Sequence, residues 1–207
     1  MAQRIATASV LAAAVLSLSI ASGAWAADIN ALVTGCTNCH DKDGASTAAG
    51  VPIIGGLSAA YIVDEITDYK KKERPCPPSE VRAGDKKGTK TDMCEVVKDL
   101  SDADAKQVAD FFAGKKFVKA TQSFDAALAK KGEQIHQQNC EKCHSKGGSA
   151  VDDDSGILAG QWMAYLKEQM TLFVSGKRIA DLKMKPVIAK LDNAGFDALV
   201  NYYASLK

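Results

Sequence analysis

The chain contains the same short pattern twice, and this repeat restricts its fold more than any other feature. The pattern reads Cys-Thr-Asn-Cys-His from Cys36 to His40 and Cys-Glu-Lys-Cys-His from Cys140 to His144. Two thiols at this spacing reach the two vinyl groups of one porphyrin, and the histidine that follows binds the iron from one side. The two copies therefore predict two covalently attached c-type haems.

Two other chemistries use closely spaced cysteines, namely a redox-active dithiol and half of a zinc site. A structural zinc site needs four converging ligands, and the sequence offers no second cysteine pair at a regular spacing from either motif. The histidine directly after each second cysteine also belongs to the haem pattern rather than to the other two. Haem attachment is therefore the favoured interpretation.

The first 26 residues have the pattern of a secretory signal peptide. One cation, Arg4, precedes an apolar run from Val10 to Ile20 and the small-residue pattern that ends at Ala26. The run is shorter than the roughly 20 residues that a membrane span needs, and no later segment is long and apolar enough either. We therefore predict cleavage after Ala26, export to the periplasm and no membrane span.

The similarity between the two copies extends well beyond the motifs. An offset of 104 residues relates the first part of each copy, and an offset of 91 relates the last part. The difference places 13 extra residues in the first copy, between Arg74 and Met93. The matched pairs are Ile53 with Ile157, Gly56 with Gly160, Tyr61 with Tyr165, Arg74 with Arg178, Met93 with Met184 and Phe112 with Tyr203. The chain is thus a tandem duplication.

Apolar residues recur at helical spacing in both copies, so we predict an all-α fold with two tandem domains. Unit one spans residues 27–119 and unit two spans residues 120–207. In each unit a short helix carries the motif, an irregular Gly-rich stretch follows, and two further helices pack together. Ser101 is a plausible N-cap for the last helix of unit one.

The second axial ligand of each haem is assigned by elimination. The chain has three histidines, and the spare one, His136, lies four residues before Cys140 on the attachment side of its own haem. Of the five methionines, Met93 is the only one in unit one, and Met184 is its counterpart in unit two. We predict the ligand pairs His40/Met93 and His144/Met184, which close both irons and favour electron transfer.

Cys76 and Cys94 are the two cysteines outside the motifs. An isolated pair in an oxidising compartment usually forms a disulfide, and we predict one here. An alternative use of Cys94 as an iron ligand would suit an enzyme such as a thiosulfate dehydrogenase. The lysines near the insertion fit a solvated loop or a surface that steers an acidic partner. They are Lys70, Lys71, Lys72, Lys86 and Lys87.

Each unit resembles a class I cytochrome c, with the motif near its start, a methionine after it and a terminal aromatic helix. Two fused units resemble dihaem cytochromes of the c-four type. The stretches Gln122–Ala129, Ile135–His144, Ile157–Trp162 and Tyr203–Leu206 are similar to the dihaem subunit of flavocytochrome c sulfide dehydrogenase. The resemblance is strongest in unit two.

This resemblance implies a periplasmic heterodimer with an FAD-containing subunit that oxidises sulfide, and a soluble acceptor such as a small cytochrome c. The chain lacks a G-x-G-x-x-G pattern, so the catalytic step is expected in the partner rather than in this chain. A freestanding dihaem shuttle to a terminal oxidase or reductase fits the duplication equally well. The 26 basic and 25 acidic residues, together with the haem propionates, argue against nucleic acid as a partner.

Overall fold

The regular structure is almost entirely helical in residues 28–206, which the computed structural model describes. The predicted signal peptide lies outside these residues. Unit one contains α1 (Ile29–His40), α2 (Ala59–Lys70), α3 (Met93–Val97) and α4 (Asp102–Ala113). Unit two contains α5 (Ala126–Asn139), α6 (Ser145–Gly148), α7 (Met163–Val174), α8 (Lys185–Ile188) and α9 (Asn193–Ser205). The predicted all-α class is confirmed.

The helix ends and the helix packing of unit one follow the sequence pattern. The Ser101 hydroxyl accepts a hydrogen bond from the backbone N–H of Asp104, and the Asp104 carboxylate accepts one from the N–H of Ser101. This capping box fixes the start of α4. Ile62 and Ile66 of α2 form one buried cluster with Phe112 of α4. Unit two has a separate buried cluster of the same kind around α7 and α9.

The duplication is visible in the backbone hydrogen bonds of the two Gly-rich loops. The carbonyl of Gly44 accepts from two successive N–H groups of unit one, and the carbonyl of Gly148 does the same in unit two. Gly56 N–H donates to the carbonyl of Phe112 at 2.8 Å, and Gly160 N–H donates to that of Tyr203 at 2.8 Å. The glycine pairs follow the offset of 104, and the pair Phe112 and Tyr203 follows the offset of 91. The change of offset therefore falls between Gly56 and Phe112 in unit one.

The two motifs differ in their local structure, and here one expectation was wrong. In unit one the motif forms the end of α1, whereas in unit two α5 ends at Asn139 and the motif continues as turns. Glu141, inside the second motif, accepts hydrogen bonds from the N–H groups of Lys146 and Gly147 at 2.9 and 3.2 Å. These bonds hold the chain in a tight turn, in which Gly147 has a positive φ of 68°.

The insertion of unit one contains a small β-hairpin that sequence reasoning treated as a loop. Strand β1 (Ser79–Glu80) pairs antiparallel with β2 (Lys90–Thr91). The Cys76–Cys94 disulfide joins the two ends of this segment. Strands of two residues are too short to show a periodic pattern, so sequence periodicity does not predict them.

The two units contact each other directly through side chains of unit two. The amide of Gln161 exchanges two hydrogen bonds with the backbone of Ile53, at 3.0 and 2.9 Å. Trp162 donates its indole N–H to the carbonyl of Ser46 at 2.9 Å. Residues 114–125 connect the units without regular structure, and the predicted boundary at residue 120 lies within this stretch.

No helix within residues 28–206 combines the length and the apolar character needed to cross a bilayer.

Candidate functional site

A single continuous cavity of about 610 Å³ extends through both units. It has the size and the mostly apolar lining that are usual for a cofactor pocket. All eight residues predicted to bind haem line this cavity, and they separate into one set per unit. The residues are Cys36, Cys39, His40 and Met93 in unit one, and Cys140, Cys143, His144 and Met184 in unit two.

In unit one, helix α1 brings its two thiols and its histidine to the cavity wall. His40 is buried, and its Nδ1 lies 2.9 Å from the carbonyl oxygen of Pro52. A carbonyl can only accept, so Nδ1 carries the proton and Nε2 keeps a lone pair. Burial also lowers the pKa of His40, which keeps the imidazole neutral. A neutral imidazole with one oriented N–H is the form that binds a metal.

In unit two, the turn after α5 places Cys140, Cys143 and His144 at the same cavity. Burial lowers the pKa of His144 as well. Its Nδ1 is buried and has no hydrogen-bond partner among the described residues. The backbone of Gly156, the counterpart of Pro52, is close enough to favour the protonated imidazole without reaching full hydrogen-bond geometry. Burial thus lowers the pKa of both histidines, and within residues 28–206 the Nδ1 hydrogen bond is observed for His40 alone of these two.

The state of the motif thiols fits covalent attachment and argues against a redox dithiol. All four are free cysteines. Burial raises the pKa of Cys36 to about 11, and burial also raises the pKa of Cys39 and Cys140. Reactive dithiols need a lowered thiol pKa, and these thiols have the opposite shift. The motif cysteines also belong to no cluster of three or more metal-ligating side chains within residues 28–206.

The two predicted methionine ligands occupy equivalent places in the structure. Met93 begins α3, Met184 immediately precedes α8, and both are half-buried at the cavity wall. Met170 also lines the cavity, but it is a core residue of α7 at the position of Ile66 in α2. The assignment of Met93 and Met184 as axial ligands stays a prediction.

Cys94 and His136 are the two alternative iron ligands that the sequence offers, and both have other partners in the structure. Cys94 forms the disulfide with Cys76, so its sulfur is not free to bind iron. His136 is fully buried, and both of its ring nitrogens are engaged: Nδ1 lies 3.0 Å from the Tyr203 hydroxyl and Nε2 lies 2.6 Å from the Glu141 carboxylate. His136 therefore supports the second motif through Glu141, in agreement with the role outside iron ligation that the sequence suggested.

Sequence reasoning matched Arg74 with Arg178 but missed what they do together. Both are buried in the contact between the units, and Glu65 binds both guanidinium groups, one with each carboxylate oxygen. Gln169, the counterpart of Glu65 in unit two, accepts from both arginines at 2.9 and 2.8 Å. We name Glu65, Arg74, Gln169 and Arg178 the interface cluster. It holds two positive charges and one carboxylate.

The structure has two helical units, and each contributes a complete C-x-x-C-H motif, a histidine whose pKa is lowered by burial and a methionine to one shared cavity. These features define a dihaem c-type cytochrome of class I. The four free thiols, the protonated Nδ1 of His40 and the apolar lining fit a covalently bound haem in each unit.

Comparison with known proteins leads to the same class. No protein-family model matches the chain. Cytochrome c4 of Stutzerimonas stutzeri is 33% identical over 215 residues, which cover 95% of this chain and 98% of that protein. The crystal structure of reduced recombinant cytochrome c4 from Pseudomonas stutzeri covers 88% of this chain with a TM-score of 0.69 and 31% identity, and 100% of that structure is matched.

A further relative is the thiosulfate dehydrogenase electron acceptor of Stutzerimonas stutzeri strain A1501, which is 26% identical over 182 residues, 86% of this chain and 81% of that protein. The full-length similarity to cytochrome c4 shows the family: the chain belongs to the cytochrome c4 family. It carries two c-type haems and transfers electrons without catalysing a substrate reaction.

Proposed function

We propose that each unit holds one six-coordinate haem, closed by one histidine and one methionine. When bound, each haem supplies a reversible one-electron Fe(III)/Fe(II) couple. The histidine and the methionine would hold the iron and leave no position for a substrate, and the neutral thioether would favour Fe(II) over Fe(III). Covalent attachment is through Cys36 and Cys39 in unit one and Cys140 and Cys143 in unit two, with the axial pairs His40/Met93 and His144/Met184.

We further propose that the protein works in the periplasm as a freestanding electron carrier between an electron-donating enzyme and a soluble acceptor. The observation that carries this function is the equivalent placement of Met93 and Met184 at the cavity, because an iron held by a histidine and a methionine would suit electron transfer rather than substrate binding. The signal-like N-terminus supports the location. Similarity to a protein named for accepting electrons from thiosulfate dehydrogenase supports an enzyme of inorganic sulfur oxidation as the donor.

The ligand set is tested by absorption spectroscopy of the oxidised holoprotein. We expect the unmodified protein to show two Met–Fe(III) charge-transfer bands. M93A should lose one of them, and M184A should lose the other. A high-spin or thiolate-ligated iron in the unmodified protein would contradict the proposal. M163A is the matched control, since Met163 begins α7 away from the cavity wall, and it should keep both bands.

A second candidate is the electron-transfer subunit of a sulfide-oxidising flavoprotein complex. The unit-two stretches Gln122–Ala129, Ile135–His144 and Ile157–Trp162 favour it, because they resemble the dihaem subunit of flavocytochrome c sulfide dehydrogenase. In that case an FAD-containing subunit should stay bound during purification from the periplasm, and sulfide should reduce the purified complex. A monomeric cytochrome that sulfide reduces only after a separate enzyme is added supports the freestanding carrier instead.

A further inference from the structure

The insertion of unit one lies against the end of the first haem-attachment motif. The N–H groups of Arg82 and Ala83 both donate to the carbonyl of Asn38, at 3.0 and 3.1 Å. The thiol of Cys39 lies 3.8 Å from the carbonyl oxygen of Glu80. Gly84 approaches the Asn38 side chain so closely that a Cβ there would lie 2.8 Å from its oxygen. The hairpin therefore covers the side of α1 that carries Cys39.

This cover is a fixed part of unit one. Val81, between the two strands, is 5% exposed, and its N–H and carbonyl both bond to the returning segment at 2.8 Å. The Cys76–Cys94 disulfide ties the ends of the segment beside Met93. A buried side chain, paired backbone groups and a covalent link together hold the hairpin over Cys39.

Unit two lacks these 13 residues, and its attachment edge is open. Cys143, the counterpart of Cys39, is exposed, whereas Cys39 is partly buried. Each second cysteine would form a thioether at one edge of its porphyrin, so the exposure of the cysteine indicates the exposure of that edge. The haem edge of unit two is therefore the accessible one.

Next to the same half of the cavity, unit two presents apolar side chains to solvent. Val174, Ile179 and Leu182 are 58%, 72% and 87% exposed, and Ile179 also lines the cavity. Among the described residues, no large hydrophobic side chain before residue 114 is exposed to this degree. Three strongly exposed apolar side chains within nine residues of one segment fit an interaction site. We name residues 174–190 the unit-two patch.

The unit-two patch is positively charged around its apolar side chains. Its exposed lysines are Lys177, Lys183, Lys185 and Lys190, and Asp181 is the single acidic residue in the segment. Arg178 is buried and already paired with Glu65. The acidic run at 152–154 borders Cys143 through Ser155, which donates to the Cys143 carbonyl at 2.6 Å. Lys142 and Lys146 beside Cys143 are exposed as well, so what distinguishes the 174–190 segment is that its lysines surround the exposed side chains of Ile179 and Leu182.

We propose that redox partners dock on unit two alone, and that the unit-two patch binds an acidic redox protein that has an apolar contact surface. The proposal rests on the function proposed above. One electron leaves the reduced partner and is accepted in unit two, with no proton or group transferred, and it reaches unit one only through the protein. A second copy of this chain fits less well, since two lysine-rich patches repel each other.

The test measures electron transfer by stopped flow from reduced flavodoxin, a small acidic flavoprotein used as the probe, to the oxidised holoprotein at low ionic strength. The charge-reversed variant K177E/K183E should react at least about tenfold more slowly, with the difference lost at high salt. The matched variant K86E/K87E, which reverses two lysines on the hairpin of unit one, should react within about twofold of the unmodified protein. L182S should react more slowly at every ionic strength.

An independent readout is nuclear magnetic resonance of the oxidised haem methyl groups in the presence of hexacyanochromate(III), a redox-inert paramagnetic anion. The methyl groups of the unit-two haem should broaden first, and K177E/K183E should abolish this preference. The Met–Fe(III) bands are recorded for each variant. If the unmodified protein lacks them, the proposed function fails. If the bands are present and the docking results differ from those expected, only the docking proposal fails.

Three results would overturn the docking proposal. The first is an equal or larger loss of rate in K86E/K87E, which would place the partner on the hairpin. The second is that the unmodified protein binds phosphatidylglycerol vesicles, and that K177E/K183E abolishes this binding but reacts with flavodoxin at an unchanged rate. This result would assign the patch to a membrane surface. The third is self-association by sedimentation that L182S abolishes with no change in the flavodoxin rate.

Discussion

Replacing Glu65 by glutamine tests what holds the two units together. Each oxygen of the Glu65 carboxylate binds a different arginine, Arg74 of unit one and Arg178 of unit two. The three side chains are 15%, 4% and 9% exposed. Glutamine keeps the shape and one acceptor oxygen, but its amide N–H₂ faces a guanidinium that can only donate. The substitution leaves two buried cations without a carboxylate.

Breaking a buried ion pair by removing one partner typically costs about 3–5 kcal/mol, because the remaining charge stays buried. In E65Q one acceptor oxygen remains, and Gln169 and Tyr165 still accept from the arginines at 2.8–2.9 Å. We therefore expect the lower end of that range, about 3 kcal/mol. An exposed pair gives the contrast: Lys98 and Glu95 are 55% and 61% exposed, so E95Q should change the free energy of unfolding by less than about 0.5 kcal/mol.

The assay is urea unfolding of the oxidised holoprotein, followed by circular dichroism and by haem absorption. A protein with two units and bound cofactors need not unfold in one step. For each transition, the urea concentration at the midpoint is therefore compared between variants, with the same m-value used for all of them. The decisive control is the swap E65Q/Q169E. Since Gln169 already lies within hydrogen-bond distance of both arginines, a carboxylate there should recover stability to within about 1 kcal/mol of the unmodified protein.

An E65Q shift below about 1 kcal/mol, or a swap variant as unstable as E65Q, would refute the role of the interface cluster. The first result would mean that water or another group supplies the missing negative charge. The second would mean that the position of the carboxylate, and not only its charge, matters for the contact between the units.

Three further outcomes are expected. M93A and M184A should each lower the reduction potential of one haem by on the order of 0.1 V, measured by spectroelectrochemistry, because a neutral thioether favours Fe(II). C76S/C94S should lower the free energy of unfolding by about 3 kcal/mol in urea, since the link spans 18 residues. The hydrogen bond from His136 holds the pKa of Glu141 below its ordinary value of 4.5. The ionised carboxylate therefore stabilises the fold above pH 4.5, and this stabilisation is lost as the pH falls through the lowered pKa. E141Q should accordingly be less stable than the unmodified protein at neutral pH and similar to it in strong acid, as measured by urea unfolding at each pH.

The sequence was sufficient for most of the repeated features, although it did not predict that the second motif forms turns rather than a helix. The offsets of 104 and 91 predicted the helix pairs, and the carbonyls of Phe112 and Tyr203 accept from the glycines that those offsets match. The motif chemistry placed the thiols and histidines at the cavity, and the methionine counterparts line it with them. These features are local or are copied within the chain, so spacing alone describes them.

The sequence was insufficient where one unit meets the other. Glu65 contacts Arg178 across 113 residues, and the Gln161 amide reaches Ile53 across 108 residues. No periodicity predicts such pairs, because they depend on how two finished units dock. One signal was present: Arg74 and Arg178 are a matched pair, and the matched positions Glu65 and Gln169 both carry side chains that can accept hydrogen bonds from an arginine.

The structure also indicates why the copies differ where they do. Tyr203 takes the place of Phe112, and its hydroxyl bonds to His136, which in turn holds Glu141 and the second motif. Unit one has Leu32 and Thr37 at the positions of His136 and Glu141 and therefore lacks this polar support. The first motif is held instead by its place in helix α1 and by the hairpin. A hairpin cover in unit two would hide the exposed Cys143. Polar support from inside the unit holds the second motif while leaving that edge open to a partner.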